Sequence, residues 1–243
     1  MKLRFLGTRG EIDTRTRRHG RHSSLEVSYY GHRAMIDAGE DWRGHLDEVA
    51  PHAIVVTHSH PDHAWGLKDG APCAVWATAV TWQAIDGYPI AEEDRRRVEP
   101  REAFEPIDDV RFEAFTLEHS TRAPAVGYRV EAGRRAVFYV PDVAYIHERE
   151  AALDGVDLYI GDGATMARSM VRRQDDALVG HVPVRTQLTW CADEGVPVAL
   201  ITHCGSQIVE GDERHLGARL RSWAEERGVE AGFAHDGMVR VLR

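Results

Sequence analysis

The chain has 243 residues, 43% of them hydrophobic and 28% charged, and its 30 Lys and Arg are outnumbered by 39 Asp and Glu for a formal charge of −9. That composition is ordinary for a globular protein. The charge argues against wrapping a large nucleic acid, though a small anionic substrate stays open because local field matters more than the sum. The length suits one large domain or two small ones with a substantial core, and a single domain over residues 1–243 is the expectation. Cys73, Cys191 and Cys204 are an odd number without CxxC spacing, so a disulfide framework is not expected and a reducing cytoplasm is. No apolar run approaches membrane-spanning length, and Met1 to Phe5 run directly into a strand-like segment rather than a signal peptide.

In chain order, Leu3 to Leu6, Leu25 to Tyr30 and Ala34 to Ile36 read as strands. Between the first two lies a basic loop with Arg15, Arg17, Arg18, His19, Arg21 and His22. It reads first as a solvated surface loop and second as a cationic rim that draws anions inward. Asp37 follows the third strand beside Gly39 and reads as a turn-fixing structural carboxylate. Ala53 to Val56 is a short β-branched run, read as a buried strand. It exits into Thr57-His58-Ser59-His60-Pro61-Asp62-His63. Extended alternation points His58 and His60 the same way. Pro61 turns the chain, and a helix through Trp65, Leu67 and Lys68 could begin at Asp62 and His63. Three imidazoles and a carboxylate this close are the usual ligand types for first-row divalent ions.

Further on, Ala74 to Trp76 reads as a strand, Thr78 to Ile85 as a helix, and charged Ala91 to Val98 as an exposed helix or loop. Strands are expected over Val110 to Leu117, Ala125 to Val130, Ala136 to Val140, Leu158 to Ile160, Val198 to Thr202 and Val239 to Leu242. Pro183 and Gly195 bracket a helix over Val184 to Glu194, and a longer one runs from Asp212 to Gly228 with Leu216, Leu220, Trp223 and Ala224 as its stripe. Two packed sheets with helices outside them are the expected α/β architecture. Two divalent ions need more ligands than the first group offers. His119, Asp142 and His203 stand at strand exits as that group does, and each is a candidate. His32, His45, His52, His147 and His215 lie in polar or helical settings and read as surface residues.

The HxHxDH run, followed in order by His119, Asp142 and His203, resembles the metallo-β-lactamase-fold hydrolases over nearly the whole chain. Gly7-Thr8, Asp37-Ala38-Gly39-Glu40, Gly180-His181, Thr202-His203 and Ala234-His235-Asp236-Gly237-Met238 resemble its phosphodiesterase branch, which includes the tRNA 3′-processing endonucleases and the cyclic-phosphate phosphodiesterase of phosphonate breakdown. The resemblance implies a four-layer αββα sandwich with a two-metal site along one edge. One ion would be held by His58, His60 and His119, the second by Asp62, His63 and His203, with Asp142 between them. Zinc is the first expectation, manganese and iron the alternatives. It implies that Asp62 orients a water or hydroxide shared by the two ions, and that His181 protonates the leaving group. The expected substrate is a small phosphodiester whose charge Arg15, Arg18 or Arg122 could help neutralise. The alternatives are a lactone or thioester hydrolase of the same fold and an iron-dependent persulfide dioxygenase; a homodimer is left open. The chain departs from the tRNA-processing enzymes in lacking their long inserted arm between Asp62 and His119. It departs from the phosphonate-pathway enzyme in lacking a cysteine-rich second zinc site.

Overall fold

The computed structural model describes residues 1–243. One sheet holds seven strands: β1 (Lys2–Gly7), β2 (Ser24–Tyr29), β3 (His32–Ile36), β4 (Ala53–Val55), β5 (Ala74–Thr78), β6 (Arg95–Val98) and, returning from the far end of the chain, β17 (Val239–Val241). The second sheet is built from β7 (Ala103–Ile107), β8 (Val110–Glu118), β9 (Val126–Ala132), β10 (Arg135–Tyr139), β11 (Tyr145–Ile146), β12 (Leu158–Asp162), β15 (Val198–Thr202) and β16 (Glu230–Phe233). A separate hairpin, β13 (Arg172–Gln174) with β14 (Ala177–Val179), stands off this sheet. The helices are α1 (Leu46–Val49), α2 (Pro61–Ala64), α3 (Ala79–Ala84), α4 (Arg149–Leu153), α5 (Val184–Asp193), α6 (Ser206–Val209) and α7 (Glu213–Glu225).

Each sheet begins with antiparallel strands and ends in a parallel run, β3-β4-β5-β6 in one and β10-β12-β15-β16 in the other. Parallel strands are covered on both faces and so read as continuous apolar runs. The two-residue alternation then sorts side chains between layers. In β4, Ala53 and Val55 face the inter-sheet core, while Ile54, with Val56 just beyond the strand, faces the outer layer with Trp42 and Leu46. In β10 and β12, Val137, Tyr139, Leu158 and Ile160 face the first sheet; Phe138 and Tyr159 turn outward to meet Leu188 of α5 and Leu220 of α7. Three apolar layers between helix, sheet, sheet and helix make the αββα sandwich. Fully burying any one of these large side chains stabilises the fold by roughly 2 kcal/mol.

The helices after the second-half strands start and stop where the sequence indicates. Asp212 caps α7 by accepting from the His215 N–H at 2.9 Å, and Val184 follows Pro183 at the start of α5. Two of the segments read from the sequence take another form. Arg95–Val98 is an edge strand, its Arg96 and Arg97 exposed, and charge at an edge hides the strand pattern. The helix expected after Asp62 is one α-turn, α2, continued by a 3-10 turn over Trp65–Asp69.

The basic loop lies at the surface and is tied down there by ion pairs and hydrogen bonds. Arg9 and Arg15 both reach Asp41, at 2.7 and 2.6 Å, Arg18 meets Glu213 at 3.0 Å, and Arg21 meets Glu48 at 3.4 Å. Asp236 accepts from Thr8 Oγ1 at 2.7 Å and from the N–H groups of Gly20 and Arg21, which pins the loop to the C-terminal segment. With its hydroxyl proton given to Asp236, Thr8 accepts from His19 Nδ1 at 2.8 Å. Burial, and then the neighbouring Arg18, push the His19 imidazole down to about 4. An unfolded His titrates near 6.5, so between those values the unfolded chain binds a proton that the fold refuses, and stability falls as pH falls. Between pH 7 and pH 5 the protein should lose about 1 kcal/mol, some 3 °C in Tm, more than a His19→Gln variant does, allowing for partial solvation. Equal pH slopes for the two proteins would show that His19 contributes nothing.

Candidate metal centre

The carboxyl ends of the parallel strands are where an open α/β sheet places its ligand-binding crevice. Asp37 follows β3, His58 and His60 follow β4, Asp142 follows β10, Asp162 ends β12, and His203 follows β15. His119 comes from the exit of the long antiparallel β8. Pro61, at the first position of α2, stops the extended segment after His60 and starts the turn that carries Asp62 and His63. Gly39 allows the close approach here, since a Cβ on it would lie 2.0 Å from the Asp62 carbonyl oxygen.

The seven side chains singled out in the sequence converge in two adjoining groups. In the first, His58 Nε2 lies 2.9 Å from His60 Nδ1, which lies 3.3 Å from His119 Nε2. Hydrogen bonds on the other ring nitrogens decide the tautomers. Thr57 Oγ1 gives its proton to Asp37, so at 3.0 Å it accepts from His58 Nδ1. His119 Nδ1 donates to the Gly180 carbonyl at 3.2 Å. Both rings thus turn an unprotonated Nε2 toward the same point. Burial, followed by mutual repulsion, pushes His58 well below the usual histidine range and His60 to about 4. His119 is lowered too, first by burial.

The second group is Asp62, His63, Asp142 and His203, all buried. Asp62 Oδ2 lies 3.1 Å from His63 Nε2 and 3.0 Å from His203 Nε2. Asp142 spans both groups, with Oδ2 2.6 Å from His63 Nε2 and 3.7 Å from His58 Nε2, and Oδ1 3.3 Å from His203 Nε2. Burial favours the neutral form of both carboxyls, but the His charges around them, with the His203 hydrogen bond at Asp62, outweigh it and hold both well below the usual carboxylate range. The same pairing overcomes burial to raise His63 well above its ordinary value and His203 to about 10.

This donor set fits divalent cations. His63 Nε2 and Asp142 Oδ2, although 2.6 Å apart, do not meet in hydrogen-bond geometry, and each is a buried polar atom without a hydrogen-bond partner. Both are left free for a cation, and imidazole nitrogen with carboxylate oxygen suits zinc, manganese or iron.

Around the two groups stand carboxylates that orient the rings. Asp37, read from sequence as a turn residue, is fully buried at φ 63° and accepts from His63 Nδ1 at 2.9 Å and from the Thr57 N–H at 2.8 Å. Its work is therefore to fix the His63 tautomer. Asp162 went unnoticed in the sequence. It accepts from His181 Nδ1 at 2.8 Å and from the N–H groups of Val143 and Ala164, with His203 Nδ1 3.7 Å away. Its one sequence signal was its place at the end of a buried strand, the place shared by Asp142 and His203. His181, held at Nδ1 by Asp162, lines a cavity of 280 Å3 with His60, Asp62, His119, Asp142, His203 and Glu11, another residue missed in the sequence. Burial works against its imidazolium form, yet Asp162 prevails and raises its pKa. Of the two arginines expected at the substrate, Arg122 lines an adjoining cavity with His60, His119 and His181. Arg18 does not reach the site: it is turned to Glu213 and lines a separate cavity with Ile208 and Leu216. Arg15 is likewise committed to Asp41.

A family model described as a beta-lactamase superfamily domain matches residues 32–204, more than half of the chain. The chain belongs to the beta-lactamase superfamily. Among superfamily structures it resembles zinc-bound PqqB from Methylobacterium extorquens, with TM-score 0.76, 20% identity and all of both chains covered. It is similar to a diphosphatase of the PhnP family, with TM-score 0.74, 20% identity, and 98% of this chain and 96% of that one covered. Human tRNase Z, short form, aligns over all of both chains with TM-score 0.68 and 17% identity. No curated protein matches it. Family, fold and clustered donors together make the chain a metal-dependent hydrolase of the metallo-β-lactamase fold. No helix is long and apolar enough to cross a membrane.

Proposed function

We propose that this protein is a dinuclear metal-dependent phosphodiesterase acting on a small phosphodiester. The observation that carries the reading is Asp142, whose two oxygens stand between the three-histidine group and the Asp62–His63–His203 group. His58, His60 and His119 would hold one ion, Asp62, His63 and His203 the other, and Asp142 both. Bound there, divalent ions supply Lewis acidity and an acidified water. Asp62 faces the open cavity with His203 and would orient that water and take its proton. His181 would give the leaving alkoxide its proton from Nε2, held in place by the Asp162 hydrogen bond on Nδ1. The preference for a phosphodiester rests on Arg122, a cation beside the histidines with no carboxylate partner, and on fold neighbours that include a diphosphatase and a tRNase Z.

The test is the metal content of protein purified without added metal, with parallel assays on aryl phosphodiesters and a lactone panel. About two ions per chain and phosphodiester turnover are expected. Turnover of lactones alone would refute the substrate class; a metal-free, inactive protein after zinc, manganese and iron addition would refute the metal centre. Within the same assay, His181→Gln should cost about 10²-fold in kcat with an alkyl leaving group and little with p-nitrophenolate, which needs no proton. An equal loss on both would remove His181 from the role of acid.

A further inference from the structure

The cavity that holds Arg122 has a volume of 390 Å3 and runs from His60, His119 and His181 outward to Arg172 and Gln174. Its two arginines come from unrelated parts of the chain, one in the loop after β8 and one opening β13. Both are carried on backbone fastened to the site. Ser120 Oγ accepts from the N–H groups of Arg122 and Ala123, each at 3.3 Å, and so shapes the loop that follows His119. The β13–β14 hairpin is held by Gly180 N–H donating to the His119 carbonyl at 2.8 Å and by Met170 N–H donating to the His181 carbonyl at 3.1 Å. The Leu178 N–H also donates to the Glu118 carboxylate. Gly180 sits at φ 106°, where a Cβ would lie 2.3 Å from the Met170 carbonyl oxygen, so the hairpin closes directly against the segment bearing His181.

The two guanidinium groups differ from those of the basic loop other than Arg17, which also has no carboxylate within 4.0 Å. Arg9, Arg15, Arg18 and Arg21 are each taken up by a carboxylate. Neither Arg122 nor Arg172 has a carboxylate within 4.0 Å. In a chain of charge −9, two unopposed cations lining one cavity create a local positive field beside the site. A guanidinium presents a fork of donors matched to an oxyanion, and a free pair of them is a site for one.

We propose that the substrate is a phosphodiester with a second oxyanion, carboxylate or phosphate, on one ester arm, and that Arg122 and Arg172 hold it and set specificity. This rests on the phosphodiesterase reading above. The arginines act on binding of the arm, at a distance from the bond that breaks, so their contribution appears in KM rather than in kcat.

The test compares p-nitrophenyl phosphodiesters whose other arm ends in a methyl, a carboxylate or a phosphonate, using the metal-loaded protein. Arg122→Ala and Arg172→Ala alter exposed side chains. Each should lower kcat/KM about tenfold more for the charged arms than for the methyl arm, through KM. Arg→Lys at either position should restore part of the loss. The relative size of the effect on carboxylate and phosphonate arms tells which oxyanion is preferred. A loss shared equally by all three substrates, or none, overturns the proposal. Calorimetry of a propylene-linked bisphosphonate against propylphosphonate gives a second reading that needs no turnover. The native protein should bind the bisphosphonate about tenfold more tightly, and the double variant should bind both alike. If no phosphodiester is turned over but that preference is present and lost in the variant, the catalytic reading fails and the oxyanion site stands. If the native protein shows no preference, the site itself is refuted.

Discussion

Asp142→Ala is expected to reduce the protein from about two metal ions per chain to one or none and to lower kcat/KM on an aryl phosphodiester by at least about 10³-fold. Asp142 is buried and is the one side chain placed against members of both donor groups. On the reading proposed above, its loss would remove a ligand shared by two ions and the negative charge that would offset their repulsion. It also leaves His63 and His203 facing an apolar methyl, and removing one member of a buried charged set costs about 3–5 kcal/mol. Metal content by mass spectrometry, the circular dichroism of the purified variant and its turnover separate these effects. A folded variant that retains both ions and full activity would show that Asp142 does not bridge.

The second large effect is expected at Asp37, which touches no metal donor atom itself. Its carboxylate accepts from His63 Nδ1, from the Thr57 N–H and from Thr57 Oγ1, all in a fully buried setting. Asp37→Ala would orphan these donors, each worth about 1–3 kcal/mol when left unpaired, so a loss of several kcal/mol is expected. Asp37→Asn keeps the volume and one acceptor oxygen, and it is the informative variant. It should fold, yet bind metal about 10- to 100-fold more weakly, because the outer partner no longer holds the His63 ring in the tautomer that frees Nε2. Competition with a chelator measures this directly. An Asn variant with native metal affinity would make Asp37 the turn residue that its place beside Gly39 suggests.

Much of the fold was legible because its central strands are apolar on both faces and short. Ala53 to Val55 and Val198 to Thr202 could hardly be anything else. The strands that escaped notice carry signals of another kind: Arg95–Val98 is mostly charged, Ala103–Ile107 contains Pro106, and β13 begins with two arginines. At the site, the donors crowded after β4 announce themselves by density, and His119, Asp142 and His203 by recurring at strand exits. Asp162 shares that place but stands alone between two glycines, with no neighbouring histidine in sequence. Its partners His181 and His203 are 19 and 41 positions away and meet it only through the sheet order β10-β12-β15. The basic loop lies at the surface as its charge suggests, but Asp41, Glu213 and Glu48, which pair with Arg15, Arg18 and Arg21, are remote in the chain and leave no mark beside it in the sequence. Arg172 carries no sequence mark at all; only the fold sets it beside Arg122.

The arginine row of β6 has a bearing on how the molecule meets its own kind. An outermost strand with free backbone donors and acceptors invites another chain to add to it. Here a second copy docking in antiparallel fashion would bring Arg96 and Arg97 up against the same residues of its mate. Like charges directly opposed across a strand pair are destabilising. The seven-stranded layer is thereby discouraged from growing at that margin, and any self-association is steered to some other part of the surface.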